Sequence, residues 1–580
     1  MIRRMVAFSA AFVLLWCMKS NFAHRMRAET PDNPPGFDRL VDDFFDFYFQ
    51  FHPRDATAAG FHQYDTKLED FSRVSREGEA ASLRTFAAEL DRMDTAKLVG
   101  DSDGDLTFLR SSIRARLLEI EKLQMWRKDP NQAVGLVTSS IFMIIKRNFA
   151  PPEERLRSVI ARERQIPTAL RTTRSNLSNP PKIYTDIAIE QMPGIIDFFQ
   201  KDVPSAFAEV KDAALLAEFQ QANAAVIKAL ENWQHYLQSD LLPASQGEYR
   251  IGAELYRQKL FDEEMVDIPL ERLLEIGYDD LHRNQQRLKD TATLINPNAS
   301  PREVLAGLEK DHPAPDQLLP AFRNLLGSLR EFIVAKKIIT IPSPVMPTLE
   351  ETPPFMRATT TASMDTPGPF ETRATEALFN VTLPQSDWTS DRIEDWLEGF
   401  SRGTILSTSI HEAFPGHYVQ FLWFKNLHSK VRKLLNCNSN VEGWAHYSEQ
   451  MMLDEGYGGG DPKLRMGQLQ DALLRNARFI VGIKMHTGNM TMDEAREFLV
   501  REGYQVPAMA DIEAKRGTSD PTYLYYTLGK LQILRLREDY KKKMGSRFVL
   551  EEFHNRFMEQ GGVPLVLIRR ALLGDNSPTL

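Results

Sequence analysis

Cysteine is almost absent from this sequence of 580 residues, which contains only Cys17 and Cys437. Cys17 lies in an apolar N-terminal run, and if that run is removed with a secretory signal, the mature chain keeps Cys437 alone. It could then form no internal disulfide. A chain of this length needs none, because its apolar core is large enough without covalent links.

Blocks of like charge are also missing. The 71 basic and 79 acidic residues give a formal net charge of −8, and no basic tail or internal repeat is visible. Nucleic-acid binding is therefore disfavoured. Hydrophobic residues make up 42% of the chain and aromatic residues 10%, a composition typical of globular proteins and unlike that of disordered ones.

A single long apolar run, Met5–Met18, is broken only by Ser9 and follows Arg3 and Arg4. A short basic region before about 7–15 apolar residues is typical of a secretory signal. The run is also shorter than the roughly 20 residues that a membrane span needs. We predict a signal peptide in residues 1–28 and a secreted or periplasmic mature protein with no stable membrane span. An uncleaved N-terminal anchor is the alternative.

Helical patterns fill most of the remaining chain. Apolar residues recur every three or four positions, as in amphipathic helices, in Ala80–Leu98, Leu106–Trp126, Leu215–Leu237 and Leu270–Leu288. Ser300, followed by Pro301 and by Glu303, has the pattern of an N-terminal capping box. The sequence therefore predicts a mainly α fold.

One segment departs from this pattern. Ile338–Phe379 contains seven prolines and no helical period, and it leads into Ala377–Leu383, which alternates like a short strand. We predict three parts in the mature chain: an N-terminal helical lobe (36–337), a Pro-rich seam with a short strand (338–389) and a catalytic helical half (390–580).

The densest group of potential metal ligands is the segment HEAFPGH, from His411 to His417. The common zinc-peptidase signature places two histidines four residues apart on a helix, so that both rings share one face. A spacing of six turns a straight helix by about 600°, which would leave the rings roughly 120° apart. Pro415 and Gly416 lie within the interval and favour a break. We predict a distortion there that brings His417 beside His411.

Glu412 has the position expected of a general base, which would take a proton from an attacking water. A catalytic zinc site has three protein ligands and one open position. Glu442, 25 residues after His417 in a helical stretch, is the natural third ligand. His446 and Glu449 follow one and two turns later and would orient the ligands from behind. On spacing alone, a solvated His–Glu pair and a packed core histidine stay open as alternatives.

These segments resemble the DUF885 family of bacterial proteins, which is grouped with the gluzincin-type metallopeptidases. The resemblance rests on HEAFPGH and on the sequence EGWA that begins at Glu442. It extends over nearly the whole mature chain through further similar elements: Pro53–Thr57, Gly60–Asp65, Tyr249–Gly252, Tyr526–Gly529, Phe553-His554 and Gly561–Leu565.

The resemblance implies a mainly α, two-lobed metallopeptidase-like fold with a deep cleft and a short β element near the site. It implies Zn²⁺ held by His411, His417 and Glu442, with Glu412 as the general base. A deep cleft would exclude folded proteins, so the expected substrate is a short peptide, held along an edge strand. The oligomeric state and the exo- or endopeptidase mode stay open.

Two further residues match family positions. The resemblance implies that Tyr526 and His486 hydrogen-bond the oxyanion that forms at the attacked carbonyl. Two departures from the family pattern occur nearby. His446 stands where the family has an aliphatic residue, and Gly482, four residues before His486, stands where the family has Asp.

Three other functions are compatible with the sequence. A zinc hydrolase of another amide or ester would use the same metal chemistry. A catalytically inactive peptide-binding protein would be expected to lack the base or a ligand, whereas both are present. A cysteine hydrolase would use Cys437 with His446 and would be indifferent to chelators. Mn²⁺, Fe²⁺ or Co²⁺ could also occupy a site with two histidines and one glutamate.

Overall fold

The computed structural model describes residues 36–98, 100–353, 356–357 and 360–580. The predicted signal peptide (1–28) lies outside these ranges. The fold is 71% helix and 2% strand, which confirms the prediction of a mainly α protein. Within the described ranges, no helix is both long enough and apolar enough to cross a membrane.

The first part of the chain is a succession of helices. They are α1 (Phe37–Phe51), α2 (Pro53–Ala59), α3 (Arg73–Asp91), α4 (Ser102–Leu118), α5 (Met125–Lys128), α6 (Pro130–Ile145), α7 (Pro152–Glu163), α8 (Ile166–Asn176), α9 (Lys182–Asp197), α10 (Val203–Ser205), α11 (Ala213–Tyr236), α12 (Leu242–Ala244), α13 (Gly252–Glu264), α14 (Leu270–Ile295), α15 (Pro301–Glu309) and α16 (Leu318–Lys336). Short π-helical segments occupy Glu119–Leu123, Phe198–Asp202 and Leu237–Leu241.

The C-terminal part is also helical. It contains α17 (Ser390–Leu397), α18 (Arg402–Glu412), α19 (His417–Lys425), α20 (Lys430–Leu434), α21 (Asn438–Asp454), α22 (Pro462–Thr487), α23 (Met492–Arg501), α24 (Pro507–Ser519), α25 (Tyr525–Met544), α26 (Leu550–Met558) and α27 (Leu565–Leu573).

The predicted helices match α3, α4, α11 and α14, with shifted ends. Ser72 starts α3 earlier than expected, because its side chain accepts a hydrogen bond from the Ser75 amide. The predicted capping box is confirmed: the Ser300 side chain accepts from the Glu303 amide, and the Glu303 side chain accepts from the Ser300 amide.

The Pro-rich segment forms a small three-stranded sheet. Its strands are β1 (Thr348–Glu351), β2 (Ala362–Asp365) and β3 (Leu378–Val381), in the order β1-β3-β2. Strand β3 is parallel to β1 and antiparallel to β2. The predicted strand is therefore present as β3, but the expectation that it is an edge strand is wrong, because both of its edges are already paired. The outer edges belong to β1 and β2.

The largest apolar core draws on both ends of the chain. It contains Phe45 of α1, Leu109 of α4, Phe322 of α16, Phe414 and Leu567 of α27. The first helices are therefore packed against the half that carries the segment His411–His417. The predicted domain boundaries, the two lobes and the cleft stay predictions.

Four helices of the C-terminal part surround the candidate site. Helix α21 packs against α18 and α25, and α22 packs against the same two helices. The contact between α21 and α25 is closest at two glycines: a Cβ at Gly443 would lie 2.5 Å from the Cα of Gly529. This close approach places Glu442 and Tyr526 on facing helices.

Candidate metal centre

The helix that carries the first histidine breaks before the second. Helix α18 ends at Glu412, and α19 begins at His417, which confirms the predicted distortion. The break requires glycine, since a Cβ at Gly416 would lie 1.8 Å from the carbonyl oxygen of His411 and 2.4 Å from that of Ile410.

A buried tryptophan holds the broken segment. The indole nitrogen of Trp444 donates to the carbonyl oxygen of Pro415 at 2.9 Å, and Trp444 is fully buried. Trp444 follows Glu442 by two residues, so the same short helical stretch supplies a candidate ligand and fixes the backbone between the two histidines.

The break brings the predicted ligands together. The Nε2 atoms of His411 and His417 lie 3.3 and 3.4 Å from Oε2 of Glu442, and the two imidazole rings are 4.8 Å apart. One potential ligand atom from each of His411, Glu412 and His417 also lies within 4.8 Å of the other two. Both histidines and Glu412 are buried, whereas the Glu442 side chain is 24% exposed.

Three polar atoms of this group, Nε2 of His411, Nε2 of His417 and Oε2 of Glu442, converge on one point. His411 Nδ1 lies 2.7 Å from a carboxylate oxygen of Glu449, and a carboxylate can only accept, so Nδ1 carries a proton and Nε2, which faces Glu442, is the nitrogen left to bind a metal ion. Oε2 of Glu442 and Nδ1 of His417 are buried without a hydrogen-bond partner among the described residues. An unpaired buried acceptor such as Oε2 of Glu442 is costly, and a cation held between this oxygen and the two Nε2 atoms would satisfy it.

The electrostatics of the group also favour positive charge. Burial alone would lower the pKa of His411, but Glu442 and Glu449 outweigh it and raise the pKa to about 9. Burial would raise the pKa of Glu442, but His417 and His411 outweigh it and hold the pKa well below its usual range. The site therefore keeps its carboxylate charged and attracts a cation, either protons or a metal ion that displaces them.

The donor set fits zinc. Two imidazole nitrogens and one carboxylate oxygen form a common catalytic zinc site, with a fourth position left for water or substrate. Glu442 fits the third ligand better than Glu412, because its oxygen faces both Nε2 atoms. Glu412 then stands beside the ligand set, where a general base is needed.

A buried carboxylate supports the ligands from behind, where the sequence predicts it. Glu449 accepts from His411 Nδ1 at 2.7 Å and faces His446 Nδ1 at 3.0 Å and Arg475 Nη2 at 3.0 Å. Burial would raise the pKa of Glu449, but Arg475 and His446 outweigh it and hold the pKa below its ordinary value. Burial lowers the pKa of His446 to about 3, so its ring is neutral. His446 contacts the supporting carboxylate and is not grouped with the candidate ligands.

Tyr526 lies next to the ligand set. Its ring is stacked 6.3 Å from the ring of His411, and its hydroxyl lies 3.3 Å from Nη2 of Arg516. Burial and the nearby charge of Glu442 raise its pKa. The phenol therefore stays protonated at neutral pH and can donate a hydrogen bond.

His486 is placed differently. Its Nε2 lies 2.7 Å from the carbonyl oxygen of Gly517, so Nε2 carries the proton, and burial lowers the pKa of the ring to about 4. The neutral ring then has no second donor to offer an oxyanion. His486 also lies eleven residues beyond Arg475 on α22, or about 16 Å along the helix. The structure therefore does not bring His486 into the ligand cluster.

Neighbouring atoms fill the space beside Gly482, the position where the family has Asp. A Cβ at Gly482 would lie 3.1 Å from ring atoms of Tyr523 and from the carbonyl oxygen of Pro521. In this chain Tyr523 occupies the space that an aspartate side chain would need.

Cys437 has the surroundings of a structural cysteine. It is 3% exposed, and its Sγ lies 3.6 Å from the hydroxyl of Ser439. Burial raises the pKa of its thiol well above the ordinary value. The reactive thiolate is therefore disfavoured, and His446, its proposed partner, faces Glu449 instead.

Sequence reasoning missed three arginines around Tyr526. Arg475 and Arg478 lie three residues apart on one face of α22, and Arg516 lies near the end of α24. Arg478 binds Glu513 through two bonds of 2.6 and 2.7 Å. Isolated arginines in a helical pattern usually indicate a solvated face. The spacing of Arg475 and Arg478, which places both on one face of a helix, was the available signal.

Residues 53–572 match the family described as "Bacterial protein of unknown function (DUF885)". The chain is similar to a candidate lipoprotein of unknown function from Shewanella oneidensis, with 27% identity and a TM-score of 0.77 over 93% of this chain and 100% of that one. A candidate lipoprotein from Colwellia psychrerythraea shares the fold, with 17% identity and a TM-score of 0.75 over 91% and 96% of the two chains. None of the curated proteins matches the sequence. The family match covers most of the chain, which therefore belongs to the DUF885 family.

Proposed function

We propose that this protein is a zinc-dependent peptidase that hydrolyses short peptides. The observation that supports the proposal is the convergence of His411 Nε2, His417 Nε2 and Glu442 Oε2, with separations of 3.3 and 3.4 Å between each nitrogen and the oxygen. Glu412 lies beside these atoms. In a solvated surface His–Glu pair, His411, Glu412 and His417 would not be buried as they are here.

Each group near the site has a defined task in hydrolysis. When bound, zinc supplies a Lewis acid that polarises a carbonyl and makes water more acidic. Glu412 takes a proton from the attacking water and passes it to the leaving amine. The hydroxyl of Tyr526 donates to the oxyanion as the carbonyl is attacked. Glu449 keeps His411 in the tautomer that presents Nε2 to the metal.

The sheet offers a place for the peptide backbone. Strand β2 is an outer strand whose one described partner is β3, and it packs against α18, the helix that carries His411 and Glu412. An extended peptide that added to the outer edge of β2 would join the sheet that packs against this helix, because backbone pairing holds extended chains in register.

We propose a secreted or cell-envelope location. The N-terminal pattern of Arg3, Arg4 and the apolar run Met5–Met18 supports it, as does the description of two structural relatives as candidate lipoproteins. Fractionation of cells that express the full chain with a C-terminal tag would test this proposal. Recovery of the protein in the cytosolic fraction alone would contradict it.

Metal content and hydrolysis should be measured on the same preparation. We expect about one zinc per chain by elemental analysis, cleavage of a short-peptide library, and loss of cleavage after treatment with a chelator, restored by Zn²⁺. His417→Ala should lose both zinc and activity, whereas His428→Ala should lose neither, because His428 lies outside the cluster. Cleavage of esters without cleavage of peptides would favour a different zinc hydrolase. Zinc binding without any hydrolysis would favour an inactive binding protein.

A further inference from the structure

Three arginines lie near the candidate metal centre, and Arg516 is the one whose guanidinium is least occupied by carboxylates. Arg475 forms an ion pair with Glu449 at 3.0 Å, and Arg478 donates two hydrogen bonds to Glu513 at 2.6 and 2.7 Å. Arg516 has looser contacts, and its side chain is 34% exposed, against 11% and 10% for the other two.

The contacts of Arg516 use one end of the guanidinium. Nη2 lies 3.3 Å from Asp520, 3.3 Å from the hydroxyl of Tyr526 and 3.5 Å from that of Tyr525. Asp520 is shared, because it also accepts from Tyr525 at 2.9 Å. A guanidinium has five donor hydrogens arranged as a fork. Among the residues that the structure describes, Nη1 and Nε of Arg516 have no acceptor, and these donors remain for a second carboxylate.

Tyr526 joins this arginine to the metal centre. Its ring is 6.3 Å from the ring of His411, and its hydroxyl contacts Arg516. Cζ of Arg516 lies 5.9 Å from the centroid of the Tyr526 ring. Each extended residue spans about 3.3–3.6 Å, so Arg516 lies within about three to four extended residues of the ring of His411. Glu442 is the most exposed of the candidate ligands.

We infer that Arg516 binds the free C-terminal carboxylate of the substrate, and that the enzyme removes short fragments from the C-terminus of peptides. The inference rests on the proposed peptidase function and narrows its substrate class. A substrate whose scissile carbonyl lies at the metal centre would place its terminal carboxylate at Arg516 after one to three residues. A longer C-terminal tail would not present a carboxylate there.

The experiment compares peptides that differ only in this group. N-acetylated tetra-alanine with a free C-terminus and its C-terminal amide are supplied to the zinc-loaded wild-type protein. We expect kcat/KM to be about 10- to 100-fold higher for the free acid, the size expected for a hydrogen bond to a charged group. Product analysis by mass spectrometry should show that the released fragment contains the C-terminus.

Variants identify the residue responsible. Arg516→Met should lower the ratio of kcat/KM for the acid to kcat/KM for the amide to about 1, because only the acid uses the guanidinium. The ratio is the readout, since Arg516 also contacts the hydroxyl of Tyr526 and its loss can change the rate for both substrates. Arg516→Lys should keep part of the preference, since it keeps the charge but loses the fork. Arg496→Met is the matched control, because Arg496 is also part-exposed and paired with a nearby aspartate. It should keep the full preference.

Each contrary result overturns a different claim. Equal kcat/KM for acid and amide in the wild-type protein would overturn the inference and leave the peptidase proposal standing. Fast cleavage of an amidated peptide that ends in Asp would show that a side-chain carboxylate is bound, which overturns the C-terminal assignment. If no peptide is cleaved, the peptidase proposal fails. Calorimetry then measures the affinity of the wild-type protein for the acid and for the amide. Equal affinity for the two peptides would overturn the carboxylate site at Arg516.

Discussion

Two buried histidine–glutamate pairs, one in the N-terminal helices and one in the candidate metal centre, differ in what lies on the far side of the histidine. In the first, His52 Nε2 lies 2.8 Å from Glu79, and Arg116 binds the same carboxylate with bonds of 2.6 and 2.9 Å. In the second, His411 Nδ1 lies 2.7 Å from Glu449. The histidine–carboxylate contact alone does not distinguish them.

The difference lies on the far side of the histidine. Burial is the largest effect on His52 and lowers its pKa, because one carboxylate neutralised by arginine cannot hold a proton on the ring. His411 has a second carboxylate, Glu442, opposite the first, and its pKa rises to about 9. A surplus of converging acceptors, rather than a buried His–Glu pair, is therefore the feature that indicates a cation site.

Glu412→Gln should have the largest effect on activity, and it tests whether the second region is catalytic. We expect it to keep zinc and lose hydrolysis, because the amide is nearly isosteric but cannot accept the proton of the attacking water. General-base catalysis typically contributes on the order of 10²–10⁴-fold. Elemental analysis and kcat should be measured together on one preparation. Turnover close to that of the wild type would show that Glu412 is not the base.

Tyr526→Phe should have the next largest effect. The phenol acts on charge that develops in the transition state, so kcat should fall by about 10²–10³-fold while KM changes little. Its hydroxyl contacts Arg516, so a structural role would instead lower the melting temperature and leave kcat within a few-fold of wild type. Measuring kcat and melting temperature on the same variant separates the two roles.

A matched pair of substitutions compares the two carboxylates directly. Glu449→Gln should weaken zinc binding by about 10- to 100-fold, as is typical when a carboxylate behind a metal-bound histidine is removed. Glu79→Gln should leave zinc affinity unchanged and instead lower the free energy of unfolding by about 3–5 kcal/mol, because Arg116 and His52 lose their buried partner. Competition with a chromogenic chelator and denaturant unfolding measure the two effects.

Either of two results would contradict the different roles assigned to Glu79 and Glu449. If Glu79→Gln also weakened zinc binding, the N-terminal pair would be coupled to the metal centre. If Glu449→Gln changed stability without changing zinc affinity, Glu449 would be a structural carboxylate like Glu79.

Much of the local site could be predicted from sequence because it is encoded in short segments. Pro415 and Gly416 indicate the helix break, and the spacing from His417 to Glu442 indicates a ligand on a separate helix. Gly443 of the EGWA motif and Gly529 of the Tyr526–Gly529 motif lie in contact. The two motifs therefore also mark the point where α21 and α25 cross.

Features that depend on tertiary packing could not be predicted. The central position of β3 follows from its pairing with two strands that carry weak β patterns, because prolines and polar residues surround β1 and β2. The arginines around Tyr526 come from α22 and α24, and nothing local to Arg516 indicates that it faces Tyr526. His486 was assigned from the resemblance alone, and its hydrogen bond to Gly517 depends on the packing of α24.

Substitution of His486 should have the smallest effect on activity. It tests whether this histidine has a structural role rather than a catalytic one. His486→Gln should keep kcat within a few-fold of wild type, because the neutral ring spends its Nε2 proton on the Gly517 carbonyl and the amide of Gln can replace that donor. A loss of 10²-fold or more in kcat, with unchanged stability, would restore the predicted role in stabilising the oxyanion.

The same variant should change how stability depends on pH. The folded-state pKa of His486 is lowered to about 4 by burial, whereas an unfolded histidine titrates near about 6.5. Its contribution is therefore fully present above pH 6.5 and is lost as pH falls towards 4, because only the unfolded chain takes up the proton. The difference corresponds to about 3 kcal/mol. Denaturant unfolding at pH 7.5 and at pH 4 should show a loss of stability that is smaller in His486→Gln by up to that amount. An identical pH dependence in both proteins would mean that His486 titrates normally in the folded state and is accessible to water or substrate.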